Sequence, residues 1–290
     1  MTRRGLVLFA AMCVIWGIPY LMIRVAVREL TPATLVFLRT ALAALLLLPI
    51  AAARGELRPL LRAWRPLLLY TAIEVAIPWV LLARAETKLT SSLTGLLIAA
   101  VPLVGAVVVT MTGDRERLGR RRWLGLMIGV VGVAAIVGLD LGSLDALALV
   151  EIALVAVCYA VGPIILARSL SDEPPLGVVA ASLALTALVY LPFAAASWPS
   201  SHPSAHVVES VVGLAFVCTA LAFLVFFALI AETGPVRATV ITYVNPAVAA
   251  VLGVAVLNEE LTRGMLVGFA LVLSGCVLAT GKGPEAVPEP

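Results

Sequence analysis

The second half of the chain repeats the first at an offset of 143 residues, and each copy contains an odd number of apolar spans. Pro32 and Leu48-Pro49 recur as Pro175 and Leu191-Pro192, Trp16 as the aromatic Tyr159, and Gly125 and Gly132 as Gly268 and Gly275. Just before those glycines, Glu116-x-Leu118-x-Arg120 recurs as Glu259-x-Leu261-x-Arg263. In mid-copy the offset drifts by a few residues, so that Ala85-Glu86-Thr87 answers Ala231-Glu232-Thr233 and Pro102 answers Pro246. Agreement at both ends of the copies excludes chance, and the drift fits small loop insertions. The repeat divides the chain into units 1–140 and 141–290, each with five spans.

The class of protein follows from where so much apolar surface can go. The chain is 62% hydrophobic and 13% charged, against roughly half and a quarter in soluble domains. A soluble fold could not cover itself with so few polar groups. Ten apolar segments fall near residues 5–25, 32–53, 64–84, 89–111, 121–139, 144–168, 175–197, 207–230, 236–257 and 264–281. Each approaches the ~20 residues that cross the hydrocarbon core as a helix. Barrel strands would instead alternate polar and apolar positions over ~10 residues. The prediction is an all-α integral membrane protein of ten transmembrane helices. The first run, although preceded by Arg3-Arg4, is read as a span rather than a signal peptide, because it has full span length and pairs with the repeat segment around Tyr159.

Basic residues set the orientation. With the amino terminus inside, fourteen of the twenty Lys and Arg residues face the cytoplasm, five (Arg24, Arg28, Arg84, Lys88 and Arg263) face outward, and Arg39 lies within a span. Both termini are then cytoplasmic in a multi-pass plasma or inner membrane protein. Five spans per copy return the chain to the opposite side, so the second copy is inverted. The loops agree: the turn 113–122 carries five arginines, and its counterpart 258–263 carries one. Inverted repeats let two similar halves exchange roles and generate inward-open and outward-open states, a frequent design of secondary transporters.

Three ionisable residues sit inside the spans: Arg39, Glu74 and Glu151. Facing lipid, each would cost a few kcal/mol, so each should face the bundle interior, a partner or a water-filled cavity. Glu74 lies ten residues beyond Trp64, about 15 Å along a helix and so near the midplane. A carboxyl group there can take and release protons. Arg39, on the neighbouring antiparallel span, is within reach of it, and its alternative role is a structural tie. Glu151 lies close to the external end of its span. Pro102 and Pro246, in the middle of spans four and nine, are expected to kink hinge or cavity-lining helices; a static kink is the alternative. The heptad-spaced glycine pairs read as close helix packing. Trp79, Tyr243 and Asn245 are candidate pocket residues. Cys13, Cys158, Cys218 and Cys276 read as apolar fillers, and His202 and His206, separated by Pro203 in a loop, lack a third metal ligand.

Taken in order and in duplicate, Trp16-Gly17, Phe37-x-Arg39, Pro102, Glu116-x-Leu118, Gly125 and Gly132, followed by Tyr243-Val244-Asn245-Pro246, Glu259-Glu260-Leu261-Thr262, Gly268 and Gly275, resemble the drug/metabolite transporter superfamily. The pattern looks like its ten-helix EamA-type members, whose two repeats cover essentially the whole chain. The resemblance implies a gradient-driven transporter, with export the favoured direction, of small metabolites, amino acids or drug-like compounds. The chain has no nucleotide-binding loop that contradicts this. It departs from its own repeat where Tyr159-Ala160 replaces Trp16-Gly17 and Ser182 replaces Arg39, which assigns any charge-dependent step mainly to the first half.

The candidate substrate and coupling set is Glu74, Arg39, Trp79, Trp16, Tyr243 and Asn245. Expected partners are a small-molecule substrate, the lipid bilayer and protons as coupling ion; no nucleic acid, cofactor or metal is expected, and the oligomeric state is left open. Two other classes compete. An intramembrane enzyme would need an acid and a base that only Glu74 and Glu151 supply, and no histidine lies in a span to activate a nucleophile. A passive channel or non-transporting membrane subunit leaves the inverted repeat unexplained.

Overall fold

The structure is a computed structural model that describes residues 2–112, 120–138 and 145–280. Among these, every regular element is helical: α1 (Arg3–Ile15), α2 (Ile18–Ala26), α3 (Pro32–Ala53), α4 (Trp64–Tyr70), α5 (Ile77–Ala85), α6 (Ser91–Ile98), α7 (Val101–Thr112), α8 (Arg120–Gly138), α9 (Ala146–Ser169), α10 (Pro175–Ala196), α11 (Ala205–Val212), α12 (Ala222–Thr233), α13 (Pro235–Ala238), α14 (Asn245–Leu257) and α15 (Arg263–Thr280). Eight helical stretches are long and apolar enough to cross a membrane, and two shorter apolar helices, Asn245–Leu257 and Arg263–Ala279, follow them. Large apolar side chains such as Leu45, Leu188 and Val251 project outward along them, as a lipid-facing surface requires. Residues Arg115, Glu116, Arg117, Leu118 and Lys282, used in the sequence reading, lie outside the described residues.

Where kinks were expected, the structure has breaks. Pro102 and Pro246 each occupy the second position of a helix, α7 and α14, that starts afresh in mid-span. A proline there costs little, because the first N–H groups of a helix have no intrahelical partner. The preceding segments tighten to i→i−3 bonds: Ala99 N–H donates to Leu96 O and Ala100 N–H to Leu97 O, and Val244 N–H donates to Ile241 O. The first span breaks in the same way, with Gly17 N–H on Val14 O and Pro19 opening α2.

Two further irregularities widen the helix instead. Thr71–Ala76, between α4 and α5, and Gly213–Leu221, between α11 and α12, are π-helical. Pro78 cannot donate to the carbonyl of Glu74, which accounts for the first of these. In the second, the Thr219 hydroxyl donates to Leu214 O at 2.7 Å.

The breaks before α7 and α14 and the two π-helical segments recur close to the repeat offset, whereas α9, the counterpart of the broken first span, is continuous. Two repeat-related pairs of helices pack against each other running in opposite directions. A Cβ added to Gly125 would meet Gly275 O at 2.7 Å, and one added to Gly132 would meet Gly268 O at 2.8 Å, which sets α8 antiparallel to α15 at backbone contact. Between α3 and α10, the Thr31 and Ser197 hydroxyls are bonded at one end, and at the other Gly177 N–H donates to Glu56. A third antiparallel contact joins non-equivalent helices, since α14 answers α7 rather than α6: Gly95 of α6 faces Ala249 of α14, and Ser92 donates to the carbonyl of Ala250. Two further interhelical contacts match across the halves: α1 packs on α12, and α5 packs on α9.

Candidate functional site

A cavity of about 190 Å³ opens between the two halves. Trp16, Tyr70 and Glu74 reach it from the first half; Pro163, Leu166, Pro175, Val178, Val179, Phe223, Phe226 and Phe227 line it from the second. Glu74 is the only charged group among them. The Trp16 side chain stands at the break after α1, its ring 4.7 Å from that of Phe226 and 6.0 Å from that of Phe223. Trp16 still bonds as part of α1, its N–H donating to Met12 O, so α1 sets the direction of its ring.

Glu74 sits in the π-helical segment, which displaces its side chain from the regular helical stripe. The residue is half-buried, yet its Oε2 is sealed from solvent and has no hydrogen-bond partner. It presses against Gly162 of α9, where a Cβ would lie 1.8 Å from Oε2; that glycine leaves the room the carboxylate occupies. An unpartnered carboxylate among aromatic rings can hold a proton or a cationic group.

Arg39 does not pair with Glu74. Its guanidinium lies 3.7 Å above the Trp79 ring, and its Nε donates to the Thr219 hydroxyl at 2.9 Å. The pseudo-symmetric position of Arg39 is Ser182, which accepts from Thr71 at 3.0 Å. Each π-helical segment is thus tied to a helix of the other half through a buried hydroxyl. Trp79 supports Arg39 rather than lining the cavity. A charge stacked on an aromatic face and bonded to a hydroxyl is one way to satisfy a cation away from water.

Asn245 is also a connector. With its amide turned so that the nitrogen is the donor, it reaches Ile241 O at 3.0 Å and Cys13 O at 3.1 Å. Both carbonyls lie at breaks in their own spans; Ile241 O already accepts from Val244 N–H, so the side chain adds a second bond there and ties two broken helices together. Tyr243 packs against the principal core beside it. The structure therefore brings Trp16 and Glu74 together in the cavity, Arg39 and Trp79 into a pair behind it, and Tyr243 and Asn245 to the junction of α1 and α14. Glu151 lies elsewhere, buried and paired at 2.7 Å with Arg84.

The cavity extends toward the end of the bundle that holds Trp64, Ser169 and Pro175. The opposite end is tied shut across the halves. Glu259 accepts the N–H groups of Ser91 and Ser92, both at 2.8 Å, and their hydroxyls at 3.0 and 2.6 Å, capping the first turn of α6 with a negative charge; such charge-assisted bonds suit a helix N-terminus. Glu29 accepts the N–H and hydroxyl of Ser204 at 2.7 and 2.6 Å. Those two donors hold the Glu29 carboxyl below its ordinary range. Sequence reasoning missed the Glu259 cap, the Thr219 partner of Arg39 and the buried Glu86; only Ser and Thr within apolar spans signalled them.

Comparison with known proteins places these features among transport proteins. The model of the EamA-like transporter family matches residues 3–138 and again 146–281. YedA of Escherichia coli (strain K12), described as an uncharacterized inner membrane transporter, is 26% identical over 93% of this chain and 88% of its own. YvbV of Bacillus subtilis (strain 168), described as an uncharacterized transporter, is 24% identical over 97% of this chain and 92% of its own. A solved crystal structure superposes with a TM-score of 0.68 at 19% identity, covering 97% of both chains.

Proposed function

The chain belongs to the EamA-like transporter family, a membrane transporter by that membership, and from that premise we propose that it is a secondary active transporter working by alternating access. Units 1–140 and 141–290 are its two inverted five-helix halves. The antiparallel packing of α8 on α15 and α3 on α10 supports this reading, since repeat-related helices that run in opposite directions are what an inverted duplication produces. Loop charge orients both termini toward the cytoplasm, and the relative from Escherichia coli suggests the inner membrane. The cavity then opens inward, and the ties at Glu259 and Glu29 close the outer end.

The observation that carries the proposal is the cavity itself, built from both halves, aromatic on its walls and holding one carboxylate without a partner. Such a site takes a small metabolite, amino acid or drug-like compound with an apolar body and a cationic or zwitterionic group. Substrate and proton compete for Glu74, which couples export to proton entry. The Arg39–Trp79 stack positions the wall behind it, and the breaks at Pro102 and Pro246 act as hinges. Glu151 is tied to Arg84 and does not line the cavity, which leaves an enzymatic reading without its acid–base pair.

The test is uptake and efflux of a metabolite library in proteoliposomes, with and without a pH gradient, for the parent protein and Glu74→Gln. The expected result is loss of gradient-driven accumulation in Glu74→Gln with retained exchange of substrate for substrate. Accumulation equal to the parent, with unchanged pH dependence, refutes the coupling role.

A further inference from the structure

The proposed coupling step uses Glu74 and leaves a second buried carboxyl unexplained. Glu86 follows α5 at the closed end of the bundle, has 0% of its surface exposed, and neither carboxylate oxygen has a hydrogen-bond partner. Arg24 of α2 reaches the residue, but its Nη1 donates to the backbone carbonyl and not to the carboxylate. The charged and titratable groups that face Glu86 are Arg24 and Tyr20 of α2, Arg39 of α3 and Glu259 beyond α14. Glu259 spends its own charge on the α6 N-terminus. Sealing a carboxylate from water without donors is so costly that the group keeps its proton instead.

The repeat supplies a contrast. Glu232 answers Glu86 in the second copy and lies at the opposite end of the bundle, where it is half-buried and accepts the hydroxyl of Thr2. One carboxyl is shut away at the closed end, and its counterpart at the end toward which the cavity extends is partly wet and partnered. That asymmetry is what two equivalent positions show when only one end is open.

We propose that Glu86 is a second proton-binding site, filled while the outer end is closed and emptied when that end opens to water. The proposal rests on the alternating-access reading. Opening hydrates the carboxyl, its proton leaves to the outer solution, and the charge left behind must be expelled or reprotonated before the end can close. External pH therefore sets the balance of the two states independently of Glu74.

The experiment places a reporter, Leu89→Cys, at a buried position between Glu86 and α6, and measures labelling by a membrane-impermeant maleimide in right-side-out vesicles across about pH 5.5 to 8.5. The exposed Thr87→Cys corrects for thiol chemistry. One linked proton makes the corrected labelling rise about tenfold per pH unit through the transition. Glu86→Gln is expected to remove that slope and remain protected, and Glu86→Asp to restore it. A Glu86→Gln variant with the parent slope overturns the proposal. Labelling that responds to added substrate but not to pH in the parent overturns it while leaving alternating access standing; labelling that responds to neither overturns both. If Glu86→Gln does not fold, carbodiimide adducts mapped by mass spectrometry on the parent decide the matter. An adduct on Glu86 at neutral pH that disappears as outer pH rises supports the proposal, and its absence throughout refutes it.

Discussion

Replacing Gly132 by alanine tests the antiparallel seam between the halves through the sign of its effect. In a helix facing open space, Gly→Ala stabilises by about 0.5–1 kcal/mol because it removes backbone freedom from the unfolded chain. At Gly132 the added methyl group would sit 2.6 Å from Val272 N and 2.8 Å from Gly268 O, both backbone atoms that cannot rotate away. Restoring ordinary contact requires α8 and α15 to separate by roughly 0.8 Å, and a gap of that size forfeits a quarter to a half of each dispersion contact along the seam. Overpacking of this kind costs about 1–3 kcal/mol, so the net expectation is a loss of about 1–2 kcal/mol. Gly138, at the end of the same helix, has nothing within 4 Å of a built Cβ and serves as the control, neutral or slightly stabilised as alanine. Reversible unfolding in mixed micelles reads both. A Gly132→Ala protein as stable as the parent, or more so, would refute backbone contact between the repeat-related helices.

Three other expectations follow from the same geometry. Arg39→Lys keeps the charge but loses the planar stack on Trp79 and the Nε bond to Thr219, and should cost about 1–3 kcal/mol in the same unfolding assay. Pro246→Ala restores an N–H that can bridge the break before α14, and should slow transport per folded molecule while leaving the folded yield unchanged; equal transport would mean a static break. The Glu29 carboxyl is held low by Ser204, so its stabilisation of the outer tie is present above the ordinary carboxylate range and lost as pH falls through the depressed value in the folded protein. Ser204→Ala removes the hydroxyl and keeps the backbone N–H, so it should weaken that acid-side loosening, read by labelling of a cysteine at Val207; identical pH profiles would exclude the tie from the seal.

Much of the frame was legible because lipid imposes it. Span length, the repeat and the glycine spacing each reflect one constraint, and α8, α15 and the two tied π-helical segments fall where the repeat places them. The internal geometry was harder to read. Pro102 and Pro246 announce lost hydrogen bonds, but whether a helix kinks or restarts depends on what packs against the break, and Asn245 ties α14 to the broken end of α1. The side-chain direction of Glu74 depends on the extra residue in a π turn, which apolar periodicity cannot display. Arg39 and Glu74 looked like partners from depth alone, yet Trp79 and Thr219 already satisfy the arginine. Glu86 escaped notice because its position at the end of a span suggests solvent, whereas packing by the neighbouring helices removes it.

The most direct test of alternating access through this cavity is the sidedness of a single cysteine at Phe226, on the cavity wall. In oriented vesicles, an impermeant maleimide should label Phe226→Cys from the cytoplasmic face at rest, and from the outer face only when an outward-directed state is driven by substrate or pH. Transported substrate should protect it from both. Labelling from both faces at once would describe a channel, and protection that never depends on substrate would contradict a transport role for the cavity.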